Sequence, residues 1–155
     1  MPELPTYEDA LRRSLDGVDR LAAHEMVSLG AADQRVLAEP IIADRDQPPF
    51  NRSAMDGYAV RHSDLASITS YPVVGTVAAG QSAHVEVPPG SCVAIATGAV
   101  VPAPLDLVVP HERSDHGDPV RLDADGLAAG YAVHARGADA VAGDELVGAG
   151  TRLSP

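Results

Sequence analysis

Hydrophobic positions along the chain change their period once. Near the start, Tyr7, Ala10, Leu11, Leu15 and Val18 recur close to helical spacing, and Thr6 followed three positions later by Asp9 has the form of a capping box. This pattern predicts an N-terminal helix interrupted near Gly17, since glycine weakens helical backbone. Beyond it, "HEMVSLG" reads as a short strand, "AADQRVL" as a helical turn or two, and "EPIIA" as a strand before the turn cluster "DRDQPP". From Ala59 the texture becomes short apolar runs: "YPVVGTVAA", "HVEV", "SCVAIAT", "LDLVVP", "PVRL", "YAVHA" and "DELVGAGTRL", all strand-sized and many rich in Val and Ile. Between them "AAGQS", "PPGS", "VPAP", "SDHGDP" and "DADG" carry the Gly, Pro and Asp of tight turns. The reading is a mainly β chain with N-terminal helices, of the α+β class. A coiled or closed, barrel-like β module runs from about Ala54 to Arg136, with a helix-and-strand segment beside it.

Composition narrows this picture. A chain of 155 residues makes one ordinary domain or two small ones, and 45% hydrophobic with 21% charged residues is a globular balance. With only 3% aromatic residues, the core must come from Val, Leu, Ile and Ala. The formal net charge of −11 repels nucleic acid and anionic membranes, whose recognition depends on Lys and Arg, so both are excluded as partners. Cys92 is the only cysteine. It cannot form an internal disulfide, which fits a reducing compartment, and its small apolar neighbours in "SCVAIA" describe a buried strand rather than a thiol catalyst. The start lacks the basic and apolar regions of a leader, and no apolar run approaches the ~18 residues of a membrane span, so the expected location is the cytoplasm. The end, "AVAGDELVGAGTRLSP", stops just after a strand-like stretch, and this texture leads us to expect more chain in the natural product.

Candidate chemistry concentrates in a few loops. In "PPFNRSAMDGYAV" the prolines impose an extended approach, and Asp56-Gly57 reads as a turn before a strand opening at Tyr58. Phe50, Met55 and Tyr58 are expected to pack beneath this loop. Ser53 offers a hydroxyl, Arg52 a forked cation and Gly57 an unshielded amide, all suited to oxyanions, while the Asp56 carboxylate suits a hard cation such as Mg²⁺. In "VAIATGAVVP" a strand ends at Thr97-Gly98, leaving a hydroxyl and an amide. A third loop, "HARGADAVAGDEL", places Arg136, Asp139 and Asp144 around two glycines. On local grammar alone the first loop reads as a β turn with hydrophobic plugs, the second equally as a strand cap with no role, and the third as a solvated face. "HERSDHGD" matches no common zinc spacing and reads as a polar hairpin tip, and His24, His62, His84 and His134 are too scattered for a catalytic assignment.

These loops occur together and in order. "PPFNRSAMDGYAV", "AAGQ", "PGSCVAIATGAVVP", "DLVVPHE" and "RGADAVAGDELVGAGTRLSP" resemble the N-terminal region of the molybdopterin molybdenumtransferase family (MoeA and gephyrin E-domain-like), over nearly the whole chain. The resemblance implies an enzyme of molybdenum cofactor biosynthesis that inserts molybdenum from molybdate into adenylylated molybdopterin, releasing AMP with the help of Mg²⁺. It implies Asp56, Thr97 and Asp139 as catalytic residues, Asp56 and Asp139 as Mg²⁺ ligands, and Ser53 and Arg136 as substrate or oxyanion contacts. It further implies a homodimer in which residues 1–53 and 137–155 form a linker and dimerisation subdomain, 54–136 the β module, and half of a shared site. The pterin-binding α/β domain is absent from this chain and must be supplied in cis or in trans. Ala138 stands where the family usually has Glu, and "PLDLVV" replaces "GADAVV". A non-catalytic binding or scaffolding module of the same fold remains the alternative.

Overall fold

A computed structural model of the chain describes residues 5–19, 23–82 and 84–154. Two compact units emerge, residues 1–39 with 148–155, and residues 40–147.

In the first unit, helix α1 spans Tyr7–Leu15. The Thr6 hydroxyl accepts from the Asp9 amide at 3.2 Å, which is the N-cap bond the sequence pattern requires, while the Asp9 carboxylate accepts from the Thr6 hydroxyl at 2.9 Å rather than from its amide. Glu8 and Asp9 lie in the first turn and Arg12 and Arg13 in the last, each matching the helix dipole. The helix stops at Asp16, followed by Gly17 at φ +90°. The expected strand in "HEMVSLG" and helical turns in "AADQRVL" do not form as read: one helical turn spans Leu29–Ala31, and Val36 then bridges Arg152. Backbone bonds from Gln34 to Leu153, Leu37 to Thr151 and Leu153 to Arg35, at 2.8–2.9 Å, satisfy this segment against the far end of the chain. A partner so distant in sequence leaves no local period to read.

In the second unit the strands are β1 (Ile41–Ile42), β2 (Arg52–Ser53), β3 (Gly57–Val60), β4 (Val73–Val77), β5 (Cys92–Ile95), β6 (Leu107–Pro110), β7 (Val133–His134) and β8 (Glu145–Val147). Four of them make one sheet in the order β4-β5-β3-β6, with β3 antiparallel to both neighbours and β4 parallel to β5. Hydrogen bonding among the described residues does not return from β6 to β4, so the sheet is not a hydrogen-bonded ring. Two antiparallel pairs, β1-β8 and β2-β7, complete the unit. The runs "HVEV" and "PVRL" form no strand, and Val120 and Leu122 make only single bridges to Tyr71 and Ser114.

Alternation along the central strands buries both faces of the sheet. Tyr58, Val60, Cys92, Leu107 and Val109 pack with Tyr71 and Val120 on one side. Ala59, Val93, Ile95 and Val108 pack with Val77, Val101 and Leu105 on the other. The core is aliphatic as composition requires, except for Tyr58 and Tyr71, and the buried Tyr71 hydroxyl donates to the Ile68 carbonyl at 3.0 Å. Cys92 is fully buried, and burial pushes its thiol up to about 12, which removes it from nucleophilic chemistry. This β unit reaches beyond 54–136 on both sides, because β1 pairs with β8 and Gln47 exchanges backbone bonds with Ala140 at 2.8 and 3.1 Å. Among the described residues, no helix is long and apolar enough to cross a membrane.

Candidate functional site

The short strand β2 joins the loops that carry the candidate residues. On one edge the Ser53 amide donates to the Ala99 carbonyl at 2.9 Å and the Gly98 amide donates to the Ser53 carbonyl at 2.8 Å. On the other edge Arg52 lies opposite His134 and Ser53 opposite Val133. The Thr97-Gly98 turn can follow β5 so sharply because Gly98 adopts φ +80°, a backbone region costly for other residues.

Within the first loop, the structure revises several expectations. Ser53 is 1% exposed, and its hydroxyl donates to the Met55 carbonyl at 2.5 Å, so it closes its own turn and is not presented to an oxyanion. Phe50 and Met55 are 39% and 41% exposed and do not pack beneath the loop. Tyr58 does: it lies in β3 and packs with Val60, Tyr71, Cys92 and Val109 on one face of the sheet. Gly57 is a packing residue rather than an unshielded amide: a Cβ there would lie 2.1 Å from the Val109 carbonyl oxygen of the adjoining strand.

Asp56 and Thr97 meet directly. Asp56 Oδ1 accepts from the Thr97 amide at 2.7 Å and from the Thr97 hydroxyl at 2.9 Å. These two bonds, the amide first, hold the Asp56 carboxyl below its ordinary value, with nearby His111 adding to the effect. Asp56 is therefore an anion at neutral pH, one oxygen engaged and Oδ2 without a hydrogen-bond partner among the described residues. His111, read from "HERSDHGD" as part of a hairpin tip, donates its amide to the Asp56 carbonyl at 3.2 Å and stacks its ring on Tyr58 with centroids 5.0 Å apart. Nothing in the local sequence signals that placement.

The third loop is wired differently. Arg136 Nε donates to Asp46 Oδ2 at 2.6 Å, which ties the guanidinium to Asp46 through one nitrogen while the side chain stays largely exposed. The Ala142 amide, bonded at 3.0 Å, and then Arg136 hold the Asp46 carboxyl below its ordinary value. Asp139 Oδ1 lies 2.8 Å from His134 Nε2, and its Oδ2 is 4.0 Å from Arg52. Two nitrogen-donor side chains on one carboxylate are at odds with Asp139 as a Mg²⁺ ligand, because a dication would have to displace or repel them. Among the described residues, no hydrogen bond or ion pair joins Asp56 to Asp139, and no group of three or more His, Cys, Asp or Glu is arranged for a metal. The donor set fits a hydrated Mg²⁺ only through Asp56, in the mode where water and phosphate supply most ligands. Asp144 accepts from the Val141 amide at 2.9 Å and closes its own turn.

Comparison with known proteins identifies the family and the fold. The family model described as the MoeA N-terminal region (domain I and II) matches residues 5–155. The molybdopterin molybdenumtransferase of Haemophilus influenzae is 33% identical over 157 residues, covering 97% of this chain and 37% of that protein. The molybdopterin molybdenumtransferase of Bacillus subtilis is 34% identical over 140 residues, covering 84% of this chain and 33% of that one. The crystal structure of the molybdopterin biosynthesis moeA protein from Pyrococcus horikoshii OT3 superposes with a TM-score of 0.87 at 32% identity, covering 99% of this chain and 42% of that one. The chain spans between a third and two fifths of the length of these curated relatives.

Proposed function

The chain belongs to the MoeA N-terminal region family, and from that membership we propose that it is the N-terminal part of a molybdopterin molybdenumtransferase. On this reading the whole enzyme inserts molybdenum from molybdate into adenylylated molybdopterin and releases AMP. This chain contributes half of a site shared across a homodimer, and a pterin-binding α/β domain, in cis or in trans, contributes the rest.

The observation that carries the reading is the Asp56 to Thr97 contact, in which loops 41 residues apart present one ionised carboxylate held by an amide and a hydroxyl. Both proposed substrates are anions, so a carboxylate cannot bind them directly. Asp56 would hold Mg²⁺ through its free oxygen, and the ion when bound supplies electrostatic clamping of phosphate oxygens. Thr97 fixes which oxygen of Asp56 is spent and which remains, and Tyr58, Gly57 and His111 fix the loop beneath it. Preorganised charge of this kind is where a site gains most of its catalytic power.

The test combines this chain with a separately produced pterin-binding domain and measures molybdenum insertion. Insertion that is restored and is lost with Asp56→Asn supports the reading. A verified complex without activity sinks it and favours a binding or scaffolding module.

A further inference from the structure

Three Asp-Gly pairs occur in the chain, Asp16-Gly17, Asp56-Gly57 and Asp125-Gly126. We propose that Asp125-Gly126 is a site of spontaneous isoaspartate formation, and that the fold shields Asp56-Gly57 from the same reaction. In such a pair the glycine nitrogen can attack the aspartate Cγ, because glycine neither obstructs the approach nor restricts the backbone. An N–C bond forms and a C–O bond of the carboxyl group breaks, with the amide proton and the carboxyl O–H leaving together as water. A second water then opens the five-membered imide at either carbonyl, which returns aspartate or leaves the main chain running through the side-chain carbonyl. Net composition is unchanged, and water is the only other reactant.

The reaction needs a free nitrogen, a free carboxyl group and a backbone outside any ladder. Asp125-Gly126 meets all three conditions. Both residues are exposed, and a Cβ at Gly126, where φ is +70°, would meet nothing within 4 Å. The turn is closed by other atoms: the Leu127 amide donates to the Ala124 carbonyl at 3.0 Å, and the Asp125 amide to Asp123 Oδ1 at 3.3 Å. Among the described residues, neither the Gly126 amide nor the Asp125 carboxylate makes a hydrogen bond. Arg113 Nη2 donates to the Asp125 carbonyl at 2.9 Å. That charge-assisted bond stabilises negative charge on the peptide unit, so the Gly126 N–H gives up its proton more readily.

At Asp56-Gly57 the same atoms are committed. Asp56 Oδ1 accepts from the Thr97 amide and hydroxyl at 2.7 and 2.9 Å. Gly57 is buried and lies opposite Ile95 of β5 on one side and Pro110 of β6 on the other. Ring closure would require the carboxylate to leave Thr97 and the Gly57 peptide to rotate out of a ladder paired on both sides, so it proceeds only through local opening of the sheet. Thr97 therefore preserves the Asp56 carboxylate chemically as well as orienting it. This inference holds whatever reaction the whole protein performs.

The 155-residue chain is held at physiological temperature and neutral pH for several weeks, folded and in parallel in concentrated urea. Isoaspartate is then quantified at each pair by peptide mapping with electron-transfer fragmentation, which separates the isomers. In the folded chain, isoaspartate at Asp125 should exceed that at Asp56 by about tenfold or more, whereas in urea the two should approach each other. Asp16-Gly17, exposed just past α1, is the unshielded reference in the same digest. Asp125→Glu should abolish the isomerised product at that position with an unchanged circular dichroism spectrum, since the longer side chain closes a six-membered ring less readily. Absence of isoaspartate at Asp125 in the folded chain, or equal rates at Asp125 and Asp56, overturns the proposal. So does the same ratio in urea as in the folded chain, because the dipeptide's neighbours in sequence would then set the rates and the fold would not.

Discussion

Asp56 and Asp139 are the same residue type on two Gly-containing loops, yet they are engaged by opposite partners. Asp56 accepts from a neutral amide and hydroxyl, which stabilise its charge without offsetting it. Asp139 faces an imidazole at 2.8 Å and a guanidinium at 4.0 Å. The first keeps one oxygen without a hydrogen-bond partner among the described residues; the second has a nitrogen-bearing side chain near each of its oxygens. A carboxylate's role follows from what surrounds it, and two aspartates in one motif set need not share a ligand.

The sharpest way to break this contrast is to remove the support of the Asp56 loop. Gly57→Ala places a methyl against backbone at 2.1 Å, which the paired strands β3 and β6 cannot relieve, and should destabilise the β unit by about 3 kcal/mol in urea unfolding. Near wild-type stability would show that the β3-β6 pair yields easily and that the loop is not rigidly seated.

Asp56→Asn comes next. An asparagine side chain can still accept from Thr97, so folding should survive, while molybdenum insertion by the complete enzyme falls at least about tenfold. Unchanged turnover would take Asp56 out of the mechanism and erase its difference from Asp139.

Thr97→Val sharpens the comparison without touching either carboxylate. Loss of the hydroxyl bond should move the Asp56 midpoint in an NMR titration upward towards the ordinary value of 3.8, and the retained amide should keep it below. The sign follows directly: a lowered folded-state pKa contributes stability above the unfolded value, and that contribution disappears as pH falls below 3.8 through the folded midpoint. Wild-type chain should therefore lose this contribution below pH 3.8, and the variant at slightly higher pH than the wild type. An unmoved midpoint would mean the hydroxyl bond carries no weight.

The smallest effect should come from Phe50→Ala. Phe50 is 39% exposed and belongs to no core cluster, so unfolding free energy should change by no more than about 0.5 kcal/mol. A loss comparable to a core aromatic would restore the idea of a plug beneath the loop.

A second contrast separates the two units. Among the described residues, every buried one lies within 40–147 and none lies in the other unit. Met26 and Leu29 of that unit are almost fully exposed. Its order comes from the helix cap and from the backbone ladder between 34–37 and 150–153, rather than from a packed interior.

Legibility in the sequence tracks how local the cause is. The cap at Thr6 was readable because its partner is three residues away, β5 and β6 were readable because a strand covered on both faces is an unbroken apolar run, and β4 was readable from its valines although its burial alternates. "HVEV" carries the same apolar signal, but Val87 is buried without a strand, its carbonyl taken by the Arg61 side chain. Ser53 looked available because a sequence does not show which way a two-residue strand turns its side chains. Asp56 and Thr97 were legible as candidates through their motifs, whereas the joining of the two was not.

By itself, then, the amino-acid sequence carried motifs that resemble a known family, and it determined the α+β class, the capped helix, the aliphatic core and the inert Cys92, which follow from residue type and short-range spacing. Tertiary structure alone decided that Thr97 clamps Asp56 across 41 residues, that Asp46 takes Arg136 across 90, and that His134 and Arg52 share Asp139. The physical reason is the range of the interaction: propensity and capping act within a turn of the chain, while a charge takes its meaning from whichever donors the fold brings within a few ångströms.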